Sequence, residues 1–385
     1  MFSMKAVFLS YNNIISPLGF SSEEVVNAIE KNETGLKEHT RFNNLKFPIT
    51  SAIISNSKLN DQFQGYSNPR KFTKLEKAMV LSVKSVLDQS NIEITDRLGL
   101  IISTTKGNID VLDNTSSFSE DRVYLWKLGE IITEQLALKN EPIILSNACI
   151  SGLASLLVAK RLIENSVYDD IIVVAGDLVT PFVLTGFNSF QALAPNICKP
   201  YSQDRCGINL GEAACAALVT SKTSNLTNEA LEIISGASLN DANHISGPSR
   251  TGEGLYRSVK SALKTANESI GPIDYISAHG TATEFNDEME AIAFNRLGLQ
   301  KVPLNSLKGY FGHTLGASGL LETIVGMHSL NRNMLYETHG FSSIGLSKSL
   351  NVISETKKEK LTIMLKTSSG FGGCNAAVIF KKYNT

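Results

Sequence analysis

Ile143-Ile144-Leu145-Ser146-Asn147-Ala148-Cys149-Ile150-Ser151-Gly152-Leu153 reads as an apolar strand, a sharp turn and the start of a helix. A cysteine at that junction has its sulfur near unpaired backbone N–H groups and the positive end of a helix dipole. Both favour thiolate over thiol, which makes Cys149 a candidate nucleophile. Taken alone, the same residue also reads as a small buried core cysteine. Three later segments decide between the two.

Working outward, short β-branched runs alternate with helical patterns, which is the signature of layered α/β architecture. Strands are expected at Leu98–Ser103, Pro142–Ser146, Ile171–Gly176, Ala216–Thr220, Leu231–Ala237, Ile273–Ala278, Leu361–Thr367 and Ala376–Phe380. Helices are expected over Ser22–Lys31, Leu75–Asp88, Trp126–Leu138, Gly152–Glu164, Gly254–Ser269, Asp287–Leu297 and Gly319–Leu330. Two strands deliver a reactive side chain at their C-terminal ends, Cys149 in one half and His279 in the other. That suits two similar α/β halves, 1–225 carrying the nucleophile and 226–385 carrying two histidines, with the polar stretch Ser221–Asn228 as their junction.

The bulk numbers exclude several classes. The 385 residues are 42% hydrophobic and 19% charged, enough for a large core, and the formal net charge of −1 gives no sign of a nucleic-acid or membrane-surface protein. No apolar run reaches the roughly 18 residues of a membrane span, and Met1 to Ser10 is too short and mixed for a signal peptide. The five cysteines are widely spaced without a CxxC pair, so neither a metal site nor a disulfide framework is expected. Reduced thiols and a cytoplasmic location fit best.

Asp274-Tyr275-Ile276-Ser277-Ala278-His279-Gly280-Thr281-Ala282-Thr283 puts a histidine where an apolar strand breaks into a Gly/Thr turn, a place for a proton carrier or hydrogen-bond donor. Lys308-Gly309-Tyr310-Phe311-Gly312-His313-Thr314-Leu315-Gly316-Ala317-Ser318-Gly319 holds a second histidine in a glycine-dense loop that can approach a substrate closely. Ser368-Ser369-Gly370-Phe371-Gly372-Gly373-Cys374-Asn375 sets one aromatic between glycines in a tight turn. None is a nucleotide loop, because no Walker lysine follows and no GxGxxG opens a helix. Read singly, each also fits a structural histidine, a loop leading into a helix, or a conformational turn.

Together, in this order and spacing, these motifs resemble the β-ketoacyl-[acyl-carrier-protein] synthases of the thiolase superfamily, in particular the elongating condensing enzymes. Ser16-Pro17-Leu18-Gly19, and Lys199-Pro200-Tyr201-Ser202-Gln203-Asp204-Arg205-Cys206-Gly207 followed by Gly211-Glu212-Ala213, extend the likeness over nearly the whole chain. The resemblance implies a thiolase-like five-layer α-β-α-β-α sandwich of two similar halves. It implies that Cys149 accepts an acyl group as a thioester, with an oxyanion hole formed by its own N–H and that of Phe371. His279 and His313 would bind the malonyl thioester carbonyl and stabilise the enolate left by decarboxylation. Lys308 would tune that field and pair with Glu290. Thr281 and Thr283 would hold the phosphopantetheine arm, and Phe371, between Gly370 and Gly372, would gate the acyl pocket. No cofactor beyond the carrier's phosphopantetheine and no metal is implied.

Two histidines favour chain elongation over priming, since initiating relatives use Cys-His-Asn and thiolases a second cysteine. Cys374 stands where elongating enzymes usually have threonine and so invites the thiolase reading, which the intact Lys308…His313 segment opposes. Other departures are Ser146-Asn147-Ala148 before the nucleophile, Ser277 in place of asparagine, Cys206 in place of aspartate, and a shortened stretch from Ser103 to Cys149. The product class, fatty acid or polyene/polyketide, stays open. So does the alternative of a noncatalytic chain-length-type partner subunit in a heterodimer, although such subunits generally lack the nucleophile. The expected partners are an acyl carrier protein and a second copy of the chain, or a related subunit. Arg70, Lys71 and Lys74 are candidates for the basic surface that an acidic carrier would meet.

Overall fold

The runs Asp170–Asp177 and Ala213–Thr220 are apolar without alternation, and both are buried along their whole length. A strand covered on both faces by helices has no reason to alternate, and the computed structural model, which describes residues 5–40, 47–266 and 270–383, builds its centre from such strands. The chain forms β1 (Phe8–Ile15), β2 (Leu98–Ser103), β3 (Ile143–Leu145), β4 (Asp170–Asp177) and β5 (Ala213–Thr220). It then forms β6 (Leu231–Asn240), β7 (Tyr275–Ser277), β8 (Leu304–Asn305), β9 (Ile363–Gly370) and β10 (Cys374–Lys382).

Within the first set the spatial order is β3-β2-β4-β5-β1, and within the second it is β8-β7-β9-β10-β6. Numbered along the chain inside each set, both read third, second, fourth, fifth, first. The directions match as well. β2 is parallel to β3 and β4 while β4–β5 and β5–β1 are antiparallel; β7 is parallel to β8 and β9 while β9–β10 and β10–β6 are antiparallel. A short antiparallel contact, Phe8 with Glu232 and Leu9 with Leu231, joins the sets into one ten-stranded sheet.

The principal helices are α1 (Ser22–Glu30), α2 (Lys74–Ser90), α3 (Leu125–Gln135), α4 (Ser151–Glu164), α5 (Glu253–Ala266), α6 (Glu284–Arg296) and α7 (Ser318–Arg332). Residues of α4 and α7 share one central core with both strand sets. α2 and α3 bury their apolar faces in a second core against the first set, and α5 and α6 in a third against the second set. The result is five layers, α-β-α-β-α. In the middle layer α7 is buried from Ser318 to Leu330 and is apolar around most of its circumference. No helix among the described residues is long and apolar enough to cross a membrane.

All the expected elements form, with ends moved by a few residues; the expected end of one helix at Ser269 lies outside the described residues. β1 was not expected. Asn12 and Asn13 break its apolar run, and a bulge between Leu9 and Asn12 absorbs the irregularity. Asn56–Gln64, polar but for buried Leu59 and Phe63, and Pro181–Ser189 are further helices, the latter started by Pro181 in its first turn and capped by the Thr180 hydroxyl.

α4 and α7 meet at two glycines. A Cβ on Gly152 would lie 2.8 Å from the Gly316 carbonyl oxygen and from the Leu320 nitrogen, and one on Gly319 would lie 2.5 Å from the Leu153 nitrogen. These obstacles are backbone and cannot turn aside. Gly319→Ala is therefore expected to destabilise the fold by about 1–3 kcal/mol through overpacking. A chemical-denaturation midpoint unchanged from the parent would show that this crossing tolerates a methyl group.

Candidate active site

Cys149 sits on the turn between β3 and α4. Ala148 before it adopts φ 43°, a left-handed conformation that L residues avoid. Ser151 clamps the turn: its hydroxyl accepts from the Asn147 N–H at 2.8 Å and donates to the Ala148 carbonyl at 2.6 Å. The Ser368 hydroxyl holds the Cys149 carbonyl at 3.2 Å. Gly370 passes so close that a Cβ there would be 3.0 Å from the Cys149 nitrogen.

The thiolate expected from the helix start is not the resting state. Burial pushes the Cys149 thiol up to about 12, and neighbouring Cys374 adds to the rise; Lys308 and the Phe371 N–H oppose it without overcoming it. At only 8% exposure, desolvation of the anion outweighs the local positive ends. The Phe371 N–H nevertheless points at the sulfur.

His279 follows β7 directly, and its loop is held by two carboxylates one turn apart on α6. Glu290 accepts from the His279 N–H at 2.9 Å and the Gly280 N–H at 2.7 Å, while Asp287 accepts from the Thr281 N–H at 2.9 Å. The same carboxylates anchor Tyr201, whose N–H donates to Asp287 at 2.7 Å and whose hydroxyl donates to Glu290 at 3.0 Å. Gly280 at φ 39° lies against Ser306 and the Tyr201 ring, where a Cβ would meet Ser306 at 2.5 Å. Burial, reinforced by Asp287, raises the Glu290 carboxyl to about 7.

His313 is held by the central glycine–glutamate segment. Its N–H donates to the Asn209 carbonyl at 2.7 Å and its carbonyl accepts from the Gly211 N–H at 3.0 Å; a side chain on Gly211 would overlap the Phe311 carbonyl. Asp177, at the end of β4, accepts from the Gly316 N–H at 2.7 Å and the Thr104 hydroxyl at 2.8 Å, tying the loop ahead of α7 to the first strand set.

The two imidazoles meet edge to face, with ring centroids 5.3 Å apart. Ser318 contacts His313 Nδ1 at 2.9 Å. His279 Nδ1 and His313 Nε2 are buried with no hydrogen-bond partner among the described residues. Burial pushes both rings well below the ordinary imidazole range, with Lys308 and Lys366 acting in the same direction. Both are therefore neutral near pH 7, and each neutral ring offers one N–H donor.

Lys308 does not pair with Glu290. Its ammonium donates to the His279 carbonyl at 2.6 Å and to Glu322 at 2.7 Å. Glu290 already spends its oxygens on the His279 loop and Tyr201, on the side facing α6. The true partner, Glu322, is shared with Lys366 at 2.6 Å. Neither Glu322 nor Lys366 was singled out from the sequence, yet each leaves a signal: an acid inside the apolar run Gly319–Leu330, and a lysine inside the apolar strand Leu361–Thr367.

Cys149, His279 and His313 open onto a single cavity of about 530 Å³, whose walls include Thr281, Thr283, Gly370, Phe371 and Gly372. The Thr281 and Thr283 hydroxyls bond each other at 2.7 Å. Phe371 is 39% exposed, and stacks on Phe187 at 5.5 Å and edge-on to Phe190 at 5.6 Å. It is a rim residue, not a core plug. Of the three basic residues proposed as a docking surface, Arg70 and Lys71 are exposed. Lys74 is committed instead to buried Glu212 at 2.5 Å, because that carboxylate lies within reach and needs a cation.

The β-ketoacyl synthase C-terminal domain family matches residues 231–342. The chain is 26% identical to 3-oxoacyl-[acyl-carrier-protein] synthase 2 of Coxiella burnetii over 98% of this chain and 99% of that protein. To the enzyme of the same name from Rhizobium meliloti it is 32% identical over 61% of this chain and 59% of that protein. Among solved structures, the ishigamide ketosynthase/chain length factor superposes with a TM-score of 0.89 at 23% identity, covering 99% of this chain and all of that one. The Cys149 turn and both histidine loops thus stand on the layered fold of a solved ketosynthase, in a chain whose residues 231–342 match the β-ketoacyl synthase C-terminal domain and which is similar over nearly its whole length to a 3-oxoacyl-[acyl-carrier-protein] synthase.

Proposed function

We propose that the protein joins an acyl group to malonyl-acyl carrier protein by decarboxylative Claisen condensation, giving a β-ketoacyl-acyl carrier protein. The observation that carries this reading is one cavity walled by a buried cysteine and two neutral histidines with unpartnered ring nitrogens. The Cys149 sulfur attacks the carbonyl of a carrier-bound acyl thioester. A carbon–sulfur bond forms, the phosphopantetheine sulfur leaves, and the cysteine proton leaves with it. The N–H groups of Cys149 and Phe371 hold the oxyanion. A resting thiol suits this step, because the proton it releases is the one the departing thiol needs.

Malonyl thioester then enters along Thr281 and Thr283. Its bond to the carboxylate breaks, carbon dioxide leaves, and the electron pair becomes an enolate whose oxygen receives N–H donation from His279 and His313. The enolate carbon attacks the Cys149 thioester and expels the sulfur as a thiolate, which takes a proton from solvent to restore the resting thiol. Lys308 and Glu290 act behind the cavity, Lys308 through charge and the His279 carbonyl, Glu290 by fixing the loop. Phe371 serves as the gate at the rim.

The carrier arrives from outside bearing its phosphopantetheine arm, and Arg70 and Lys71 remain candidates to meet it. The protein acts as a dimer, with itself or with a related subunit, and we take 225/226 as the junction between its halves. A noncatalytic chain-length role is disfavoured by the intact cysteine turn. The condensation serves fatty-acid or polyene/polyketide-type synthesis.

Cys149→Ala is expected to abolish condensation while leaving the denaturation midpoint near that of the parent; acyl-enzyme seen by intact mass spectrometry in the parent, and its loss in the variant, reads this directly. Residual condensation at the parent rate would exclude the covalent route.

His279→Ala and His313→Ala should each slow malonyl decarboxylation by about 10²-fold or more, the order seen when an oxyanion donor is removed. Acyl loading of Cys149 should suffer less, since the enolate charge does not exist in that step. The reverse pattern would mean the roles are exchanged.

Because burial depresses both imidazoles, ¹⁵N spectra at about pH 6 should show His279 and His313 still neutral. Charging either ring is disfavoured in the folded state, so protonation should set in only as pH falls well below the ordinary imidazole value. Imidazolium signals from either residue at that pH would contradict the neutral-donor mechanism.

A further inference from the structure

Lys366 lies on β9 with no solvent exposure, and its ammonium has four acceptors: Glu322 at 2.6 Å, the Thr367 carbonyl at 2.8 Å, the Ser277 carbonyl at 3.2 Å and the Ala278 carbonyl at 3.4 Å. Two of these belong to the residues that immediately precede His279. Lys308 completes the group by bonding the other oxygen of Glu322 and the carbonyl of His279 itself. The end of β7 and its continuation are thus gripped through three successive carbonyls by two buried cations.

Stability alone does not call for this arrangement. Burying an ion trio brings a large desolvation penalty, and apolar residues of similar volume often serve a core as well or better. The residues before Lys366 on β9, Ile363, Met364 and Leu365, are apolar and buried, so a hydrocarbon side chain at 366 would extend that run. What the second lysine changes is charge. Lys308 and Glu322 alone make an even pair; Lys366 adds a second ammonium to the same carboxylate, and burial pushes the pKa of that ammonium down while Glu322 supports it.

We infer that Lys366 is a positioning residue of the decarboxylation centre, which adds positive charge behind His279 and His313 and fixes the strand end that delivers His279. The inference rests on the condensing reaction proposed above. A positive charge there favours the malonyl carboxylate on arrival and the enolate as it forms, and disfavours protonation of the imidazoles that must remain neutral donors. The burial of both rings and the cations Lys308 and Lys366 all act in that last direction. The other titratable groups around the histidines are Glu322 on α7, Glu290 and Asp287 on α6, Tyr201 behind Gly280, and Cys149 across the cavity.

The test uses Cys149→Gln protein, in which malonyl decarboxylation is followed without condensation, and compares it with Lys366→Met and with Glu322→Gln added separately. Lys366→Met removes the second ammonium, and Glu322→Gln removes the carboxylate. Lys366→Met is expected to lower kcat for decarboxylation about tenfold with little change in KM, and to move the acid limb of the pH profile upward, a tenfold loss corresponding to about 1.4 kcal/mol of barrier. Acyl loading, measured with Cys149 restored, should change far less. Histidine ¹⁵N titrations should show both imidazoles protonating at higher pH in Lys366→Met and at lower pH in Glu322→Gln.

Unchanged titrations with an unshifted acid limb would overturn the inference. So would a loss shared equally by loading and decarboxylation, which marks a merely structural lysine. If Lys366→Met does not fold, a Glu322→Gln titration that fails to move downward overturns it alone. Should the Cys149→Gln parent and the wild-type chain show neither decarboxylation nor condensation, the proposed reaction fails, while the histidine titrations still decide whether the charge acts on the two rings.

Discussion

The contact between α4 and α7 is the constraint on which the site depends. α4 begins two residues after Cys149 and α7 five residues after His313. Their first turns touch through Gly152 and Gly319 at backbone distance. That approach brings the ends of the two strand sets to one place, so a cysteine from the first half and histidines from the second open onto the same cavity. Larger side chains at either glycine would part the helices and the chemistry with them.

Around that crossing, buried carboxylates do the fixing. Asp177 holds the loop before α7, Asp287 and Glu290 hold the loop after β7, and Glu322 joins Lys308 to Lys366. Each satisfies backbone N–H groups or ammonium ions that would otherwise be stranded in a water-poor interior. Loops are ordinarily mobile; here they are tied to the end of β4 and to α6 and α7 by bonds of 2.6 to 2.9 Å. The imidazole nitrogens left without partners stand out against this background of satisfied groups, and both rings belong to residues that line the cavity.

The same burial has opposite consequences for the two kinds of reacting group. It keeps the histidines neutral, which suits donors to an enolate, and it keeps the cysteine protonated, which a helix start alone would not. The proposed acyl transfer therefore needs no preformed thiolate; a thiol that surrenders its proton as the departing sulfur accepts one achieves the same exchange without stabilising a lone anion in the interior.

The layered α/β fold was legible because its strands are continuous apolar runs that alternate with longer helical stretches, Glu253–Ala266 the most clearly amphipathic of them; β1 escaped because asparagines and a bulge interrupt it. Cys149, His279 and His313 were legible because each follows an apolar strand or sits in a glycine-dense loop, positions where a chain presents side chains to ligands. Which groups pair in the interior was not. Glu290 and Glu322 are both acids on helices that follow a histidine, and linear order cannot say which one faces Lys308; the packing of α7 against β9 decides for Glu322. Lys74 likewise looked like a surface cation until folding set it beside buried Glu212. The sequence determined which residues could do chemistry, since that depends on local strand, turn and helix signals. The tertiary structure alone decided their partners and protonation states, because those depend on desolvation and on charges brought together from distant parts of the chain.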